Sequence, residues 1–175
     1  TVTETDDAPV ITQGDGPLTK NVLEDGTATW VSSELNATDV DLQDILTWSV
    51  SSVPANGLAT VSGAGASPTT FSYAPNADFN GSDSFVVEVS DGSLTDAITV
   101  NLTVSGVNDA PVITQGAGPL TKTMNEDGTA TWAASELNAT DVDVGDVLTW
   151  SVPSAATNGT ATVSGTGASP TTFTY

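Results

Sequence analysis

The chain has 175 residues, with 22 acids against 2 lysines, no arginine, no histidine, no cysteine and a formal net charge of −20. Without imidazole or thiolate it cannot build the usual zinc, haem, iron–sulfur or copper centres. It also cannot form a Ser-His-Asp or Cys-His nucleophilic site or staple itself with disulfides. Two lysines cannot neutralise a nucleic-acid backbone, the charge opposes anionic membranes, and no run of about 18 apolar residues is present to insert into one.

The first ten residues, TVTETDDAPV, have neither a basic n-region nor an apolar h-region, so the chain reads as part of something longer. A net charge this large suggests disorder, but 38% of the residues are hydrophobic and they alternate with polar ones. Disordered acidic chains lack such runs. The reading is a folded all-β protein whose acids need a counter-ion.

In chain order, strands are predicted near Leu18–Leu23, Thr27–Val31, Leu46–Val50, Ala59–Ser62, Thr69–Tyr73, Ser84–Ser90 and Ala97–Ser105. The apolar residues recur with period 2. Leu46, Trp48 and Val50 share a face, as do Phe85, Val87 and Val89, and Ile98, Val100, Leu102 and Val104. Gly, Pro, Asn or Asp bounds each run, as turns require. No segment sustains a helical period. About seven short strands in about 100 residues is the pattern of an immunoglobulin-like Greek-key sandwich.

After Val107 the sequence starts again. Glu24-Asp25-Gly26-Thr27-Ala28-Thr29-Trp30 recurs as Glu126-Asp127-Gly128-Thr129-Ala130-Thr131-Trp132, an offset of 102. Asp7–Tyr73 aligns on Asp109–Tyr175 without a gap, and roughly three-quarters of the positions are identical. Two tandem domains are expected: residues 1–107, a complete repeat with its N-terminal linker at 1–8, and residues 108–175, a repeat that lacks the last strands.

Several motifs resemble the cadherin repeat. Phe85-Val86-Val87-Glu88-Val89-Ser90-Asp91-Gly92 and Ile98-Thr99-Val100-Asn101-Leu102-Thr103-Val104 lead into Val107-Asn108-Asp109-Ala110-Pro111. This resembles two long strands, joined by an Asp-Gly turn, running into a cadherin linker. Leu35-Asn36-Ala37-Thr38-Asp39-Val40-Asp41 resembles the cadherin DxD segment. Tyr73-Ala74-Pro75-Asn76-Ala77-Asp78-Phe79-Asn80-Gly81-Ser82-Asp83-Ser84-Phe85 is similar to a signature of the bacterial cadherin-like tandem repeats of large surface and biofilm adhesins. Gly106 stands where the cadherin linker has its first acid. Before the first repeat, Glu4-Thr5-Asp6-Asp7-Ala8-Pro9 keeps an acid there.

Calcium takes six to eight oxygen ligands, mainly carboxylates and carbonyls. Asp39, Asp41 and Asp44 form a DxDxxD cluster that Asp141, Asp143 and Asp146 copy. In an extended segment residues i and i+2 point the same way, so each DxD pair can face one ion. The resemblance then assigns ends. It implies that the junction after the first repeat recruits Glu24, Asp78 or Asp83, Asn108, Asp109, Asp141 and Asp143. Asp109, Asp141 and Asp143 lead that set and Asp78 is last. The upper end of the first repeat uses Asp6, Asp7, Asp39 and Asp41, and Glu126 repeats Glu24. A solvated acidic surface, from salt adaptation or for solubility, is the competing reading of the charge. Asp25, Asp91 and Asp96 read as turn-capping residues, and Glu34 and Glu88 as solvated.

Trp48 shares its face with Leu46 and Val50 and reads as core; Trp30 is open between core and a sugar platform. Lys20, repeated as Lys122, is in phase with Leu18 and Val22. It is either a snorkelling lysine or, as in some surface adhesins, half of an isopeptide crosslink, with Asn101 the candidate partner. The resemblance as a whole implies an extracellular stalk on a secreted or cell-surface protein, rigidified by calcium. Its partners are neighbouring repeats of the chain. The alternative is repeats that themselves bind polysaccharide or identical molecules. An enzyme using paired carboxylates would have them in turns of a small sandwich with no evident cleft.

Overall fold

In the computed structural model, residues 5–116 and 118–175 are described, so Glu4 lies outside the described residues. The chain forms two compact units that meet in sequence at Val107 and Asn108. Both are built from strands, and the described helical residues are two short 3₁₀ turns at Ser32–Glu34 and Ala134–Glu136.

The first unit contains β1 (Val10–Ile11), β2 (Leu18–Leu23), β3 (Ala28–Thr29), β4 (Ala37–Thr38), β5 (Thr47–Ser52), β6 (Gly57–Ala64), β7 (Thr70–Pro75), β8 (Gly81–Ser90) and β9 (Thr95–Ser105). Hydrogen bonding orders seven of these as β2-β9-β8-β5-β6-β7-β3. β5, β6 and β7 are consecutive antiparallel neighbours, and β8 returns beside β5. That order is a Greek key. β2 runs parallel to β9, from Leu18 opposite Val100 to Leu23 opposite Ser105.

The ladder is folded over where β5 meets β6, a pairing of only two positions, Thr47 with Ala64 and Trp48 with Gly63. β7 and β8 are not neighbours in the ladder, yet the Phe71 and Tyr73 rings of β7 lie 6.2 and 6.1 Å from the Phe85 ring of β8. Facing layers bring them together. Of the residues that the alternation puts on shared faces, Leu46, Trp48, Phe85, Val87, Val89, Ile98, Val100, Leu102 and Val104 are buried between the layers with Phe71 and Tyr73 of β7, while Val50 is only partly buried. Trp30 joins them, stacked on Phe71 at 4.1 Å, so it belongs to the core and offers no sugar platform.

The second unit contains β10 (Val112–Ile113), β11 (Ala139–Thr140), β12 (Thr149–Trp150), β13 (Thr162–Thr166) and β14 (Thr172–Thr174). β10 pairs with β11 as β1 does with β4, and β12-β13-β14 repeats β5-β6-β7. Among its described residues nothing corresponds to β8 and β9, and residues 120–125, the counterpart of β2, form no strand.

Candidate metal centre

At one end of the first unit the loop after β4 gathers acids. Asp6, Asp41 and Asp44 each place a carboxylate oxygen within 4.8 Å of the others. The backbone fixes the group. Asp41 Oδ2 accepts the Asp7 N–H at 2.8 Å, Asp39 Oδ1 accepts the Asp41 N–H at 2.9 Å, and the Asp44 N–H donates to the Asp41 carbonyl at 3.0 Å. The open cavity above them, about 510 Å³, is lined by Thr5, Asp6 and Val40–Asp44. Asp7 therefore contributes its backbone N–H to the framework.

The second unit repeats this scaffold. The Asp109 N–H donates to Asp143 Oδ2 at 2.7 Å, the Asp143 N–H to Asp141 Oδ1 at 3.2 Å, and the Asp146 N–H to the Asp143 carbonyl at 3.3 Å. Asn108 turns its side-chain amide back onto the Asp109 carbonyl at 2.9 Å.

The first unit adds Asp91, which the sequence reading gave only a turn. It does make the turn, with Oδ1 accepting the Ser93 and Leu94 N–H groups at 2.6 and 2.7 Å. Its Oδ2, like Asp39 Oδ2, is shielded from solvent without a hydrogen-bond partner. Desolvation, followed by the charges of Asp6, Asp41, Asp39 and Asp91, pushes the Asp44 carboxyl above its usual range. Asp91 thus acts on the same end of the sandwich. The two shielded, unpartnered carboxylate oxygens of Asp39 and Asp91 are costly without a cation. The donor set is all oxygen, partly exposed and irregular, which suits calcium better than the tight octahedron of magnesium.

Other expected ligands are placed differently. Asp83 is corrected from metal ligand to structural acceptor. It is buried, its Oδ1 accepts the Ala55 and Ser84 N–H groups at 3.1 and 2.8 Å, and its Oδ2 accepts the Asn56 N–H and the Tyr73 hydroxyl at 2.9 and 2.8 Å. Burial acts to raise the Asp83 carboxyl, but these hydrogen bonds prevail and hold it below the usual range. Burial, and then the bond to Asp83, pushes the Tyr73 phenol far up. Asp78 is exposed in a left-handed turn with φ 59°.

Glu24 is buried, with Oε1 accepting the Val107 N–H at 2.6 Å and its own N–H donating to the Ser105 carbonyl at 3.0 Å. It fastens the last residues of the first unit to the end of β2. Glu126 is exposed, as is Asp146. Asp96 also does more than cap a turn, because its Oδ2 accepts the Ile11 N–H across 85 residues of sequence at 2.7 Å.

Glu34 is not simply solvated. It accepts the Val31 N–H at 2.8 Å and pairs with Lys20 at 3.0 Å, and Lys20 Nζ lies 5.2 Å from the Trp30 ring centre. The backbone bond and then Lys20 lower the Glu34 carboxyl. Lys122, Glu136 and Trp132 repeat the arrangement. Lys20 therefore snorkels to Glu34.

Comparison with known proteins places this architecture. Among solved structures, the extracellular cadherin domains 1–5 of protocadherin gamma B2 match 95% of this chain and 32% of that one at 14% identity, with a TM-score of 0.53. A variant of an endo-fucoidan hydrolase from glycoside hydrolase family 107 matches 95% of this chain and 24% of that one at 21% identity, with a TM-score of 0.45. The chain thus spans about a third or less of these proteins, and the likeness to the protocadherin is one of fold. No curated protein matches. The model of the bacterial Ig domain matches residues 6–103, the first sandwich almost from end to end. The chain belongs to the bacterial Ig domain family.

Proposed function

We propose that the chain is a calcium-rigidified spacer within an extracellular bacterial surface or biofilm adhesin. The Ig-like, cadherin-like fold supports a structural or adhesion-type repeat. The observation that carries the calcium reading is the acidic end of the first unit, where Asp6, Asp41 and Asp44 gather their carboxylates and Asp39 and Asp91, each with a shielded Oδ2, act on Asp44. Lys20, the one lysine of that unit, is engaged by Glu34.

Bound calcium would be held by Asp6, Asp39, Asp41, Asp44 and Asp91, and would offset their repulsion. The chain's own part is to preset the loop through backbone bonds to Asp39 and Asp41. The proposal extends to Asp109, Asp141 and Asp143 of the second unit, where the same backbone scaffold recurs. It rests there on residue types and on that scaffold. The role is non-catalytic, and neighbouring repeats are the proposed partners. No described helix is long and apolar enough to cross a membrane.

Titration calorimetry with calcium tests this reading. Saturable binding is expected, with Asp39→Asn and Asp41→Asn each weakening one site by tenfold or more and Glu88→Ala changing nothing. Absence of saturable heat, or equal weakening by Glu88→Ala, contradicts it.

A further inference from the structure

The middle of the first unit carries no charge. From Ile45 to Ala77 the sequence has neither an acid nor a lysine, in a chain of formal net charge −20. That stretch holds β5, β6 and β7. β6 has β7 along one side, but β5 meets it only at Gly63 and Ala64. Among the described residues, 57–62 therefore have no ladder on the β5 side, although the first unit has its full β8–β9 hairpin. Exposed strand edges are ordinarily blunted by a charge or a proline, and residues 57–62 contain neither. Leu58 is 69% exposed and Val53, in the loop leading to β6, is 79% exposed. Thr60 and Ser62 are exposed as well.

Hydrogen bonding fixes which groups this edge offers. The Trp30 N–H donates to the Phe71 carbonyl at 3.1 Å and Ala28 pairs with Tyr73, so Phe71 and Tyr73 turn their backbone groups to β3. Successive residues of an antiparallel ladder face opposite sides. Val61 and Ala59, opposite Phe71 and Tyr73, therefore turn their N–H and C=O groups away from β7, and Gly57 follows by the same alternation. The Asn76 N–H on the Asn56 carbonyl, at 2.8 Å, keeps that phase. Leu58 and Thr60 use their backbone groups on β7 and hold their side chains out to solvent.

We propose that β6 is a pairing edge for a second copy of this chain, with the two β6 strands antiparallel about a twofold axis at Ala59. That register sets Ala59 against the partner's Ala59 and Gly57 against the partner's Val61, and it joins the free backbone groups of all three residues in each copy. It also places exposed Leu58 beside the partner's Thr60. The edge is self-complementary, as a twofold interface must be. Charge favours the same surface. Two chains of net charge −20 repel wherever their acids meet, and an uncharged strand is where they can approach within the Debye length, about 8 Å at physiological salt. The pairing uses no residue of the acidic end, so it stands or falls separately from the calcium reading.

Cross-linking of the whole chain tests this, since the sequence has no cysteine of its own and both positions used are exposed. Leu58→Cys and Thr60→Cys chains, mixed and mildly oxidised in calcium-free buffer at physiological salt, should form a disulfide dimer with one chain of each kind. Opposite residues of a non-hydrogen-bonded antiparallel pair have Cα atoms about 4.5 Å apart, within disulfide reach. Either chain alone should cross-link far less, because its cysteines then lie on a diagonal roughly 7–8 Å apart. Sedimentation of the unaltered chain should show a monomer–dimer equilibrium that tightens as salt is raised. Ala59→Pro, which removes an N–H that β7 does not use, should weaken that equilibrium by about tenfold or more. The proposal is overturned if the mixture cross-links no better than either chain alone, if the unaltered chain stays monomeric at millimolar concentration, or if Ala59→Pro dimerises unchanged.

Discussion

The two units carry nearly the same sequence and do not form the same structure. Leu18–Leu23 is a strand in the first unit, while the matching residues 120–125, which differ at three of six positions, form none. Trp48 is 4% exposed and Trp150, in the same local sequence, is half-buried. The difference lies in what each segment packs against. β2 hydrogen-bonds along its whole length to β9, and Trp48 sits opposite Val89 of β8. Strand propensity is a fit to neighbours more than a property of the backbone, and this chain shows that within one molecule.

The comparison breaks most visibly at the core. Trp48→Ala should cost about 3–5 kcal/mol in the unfolding of the first unit, and Trp150→Ala less than half as much in the second, both read from denaturant unfolding followed by hydrogen exchange. Equal costs would mean that the second core is as closed as the first.

The next effect separates Tyr73 from Tyr175. Tyr73→Phe removes a hydrogen bond to a buried carboxylate and should cost about 1–3 kcal/mol, whereas Tyr175→Phe, with no aspartate standing where Asp83 stands, should be close to neutral. The pH dependence follows. The Asp83 carboxyl is held below its unfolded value, so its stabilisation is complete above the ordinary aspartate range and is lost as pH falls through the lowered folded value. Asp83→Asn should flatten that acid limb in the first unit.

A smaller contrast comes from glycine. A Cβ at Gly57 would lie 2.5 Å from the Tyr73 ring and 2.6 Å from the Ala74 carbonyl, while at Gly159 the nearest atoms, at 2.6 Å, belong to the Tyr175 ring alone. A half-buried terminal ring moves more easily than a backbone in a ladder. Gly57→Ala should therefore lower the melting temperature of its unit further than Gly159→Ala.

The smallest difference is expected at Lys20–Glu34 and Lys122–Glu136. Both pairs are about one-third exposed, and exposed pairs contribute little. Lys20→Met and Lys122→Met should give the same slight loss, and a large difference between them would show that the units differ in more than their covered face.

The fold was legible wherever period 2 ran long. Phe85–Val89 and Ile98–Val104 declare which face is buried, and β8 and β9 end where predicted but begin three and two residues earlier, because the ladder continues past the first apolar residue to the preceding turn. β1 and β4, two residues each, are too short to leave a period and are held by a distant acid, Asp96 on the Ile11 N–H. Asp41 and Asp44 were legible as neighbours, since the loop is local, whereas Asp6, which joins their carboxylates, lies more than thirty residues earlier in the chain. Asp83 and Glu34 were misjudged, and the turn that Asp91 was expected to make was only part of its role, because each also meets partners that sequence spacing does not reveal. Asp83 meets Tyr73 and the Ala55–Asn56 backbone, Asp91 meets the charge of Asp44, and Glu34 meets Lys20.

The acidic end carries the central claim, and its electrostatics have the opposite sign to those of Asp83. The Asp44 carboxyl is raised by desolvation and by its acidic neighbours. In the absence of a cation its ionisation therefore costs stability, which is lost as pH rises from the ordinary aspartate range through the raised folded value. Calcium should cancel that loss. The direct measurement is thermal unfolding of the chain at neutral pH with calcium, magnesium or sodium at matched ionic strength. At about 100-fold above the dissociation constant, calcium should add about 2.7 kcal/mol. That should raise the melting temperature of the first unit by about 10 °C or more, with magnesium giving far less and Asp39→Asn removing most of the gain. Equal shifts from all three cations, or a full calcium response in Asp39→Asn, would mean that the acids are only a screened surface and would contradict the calcium account.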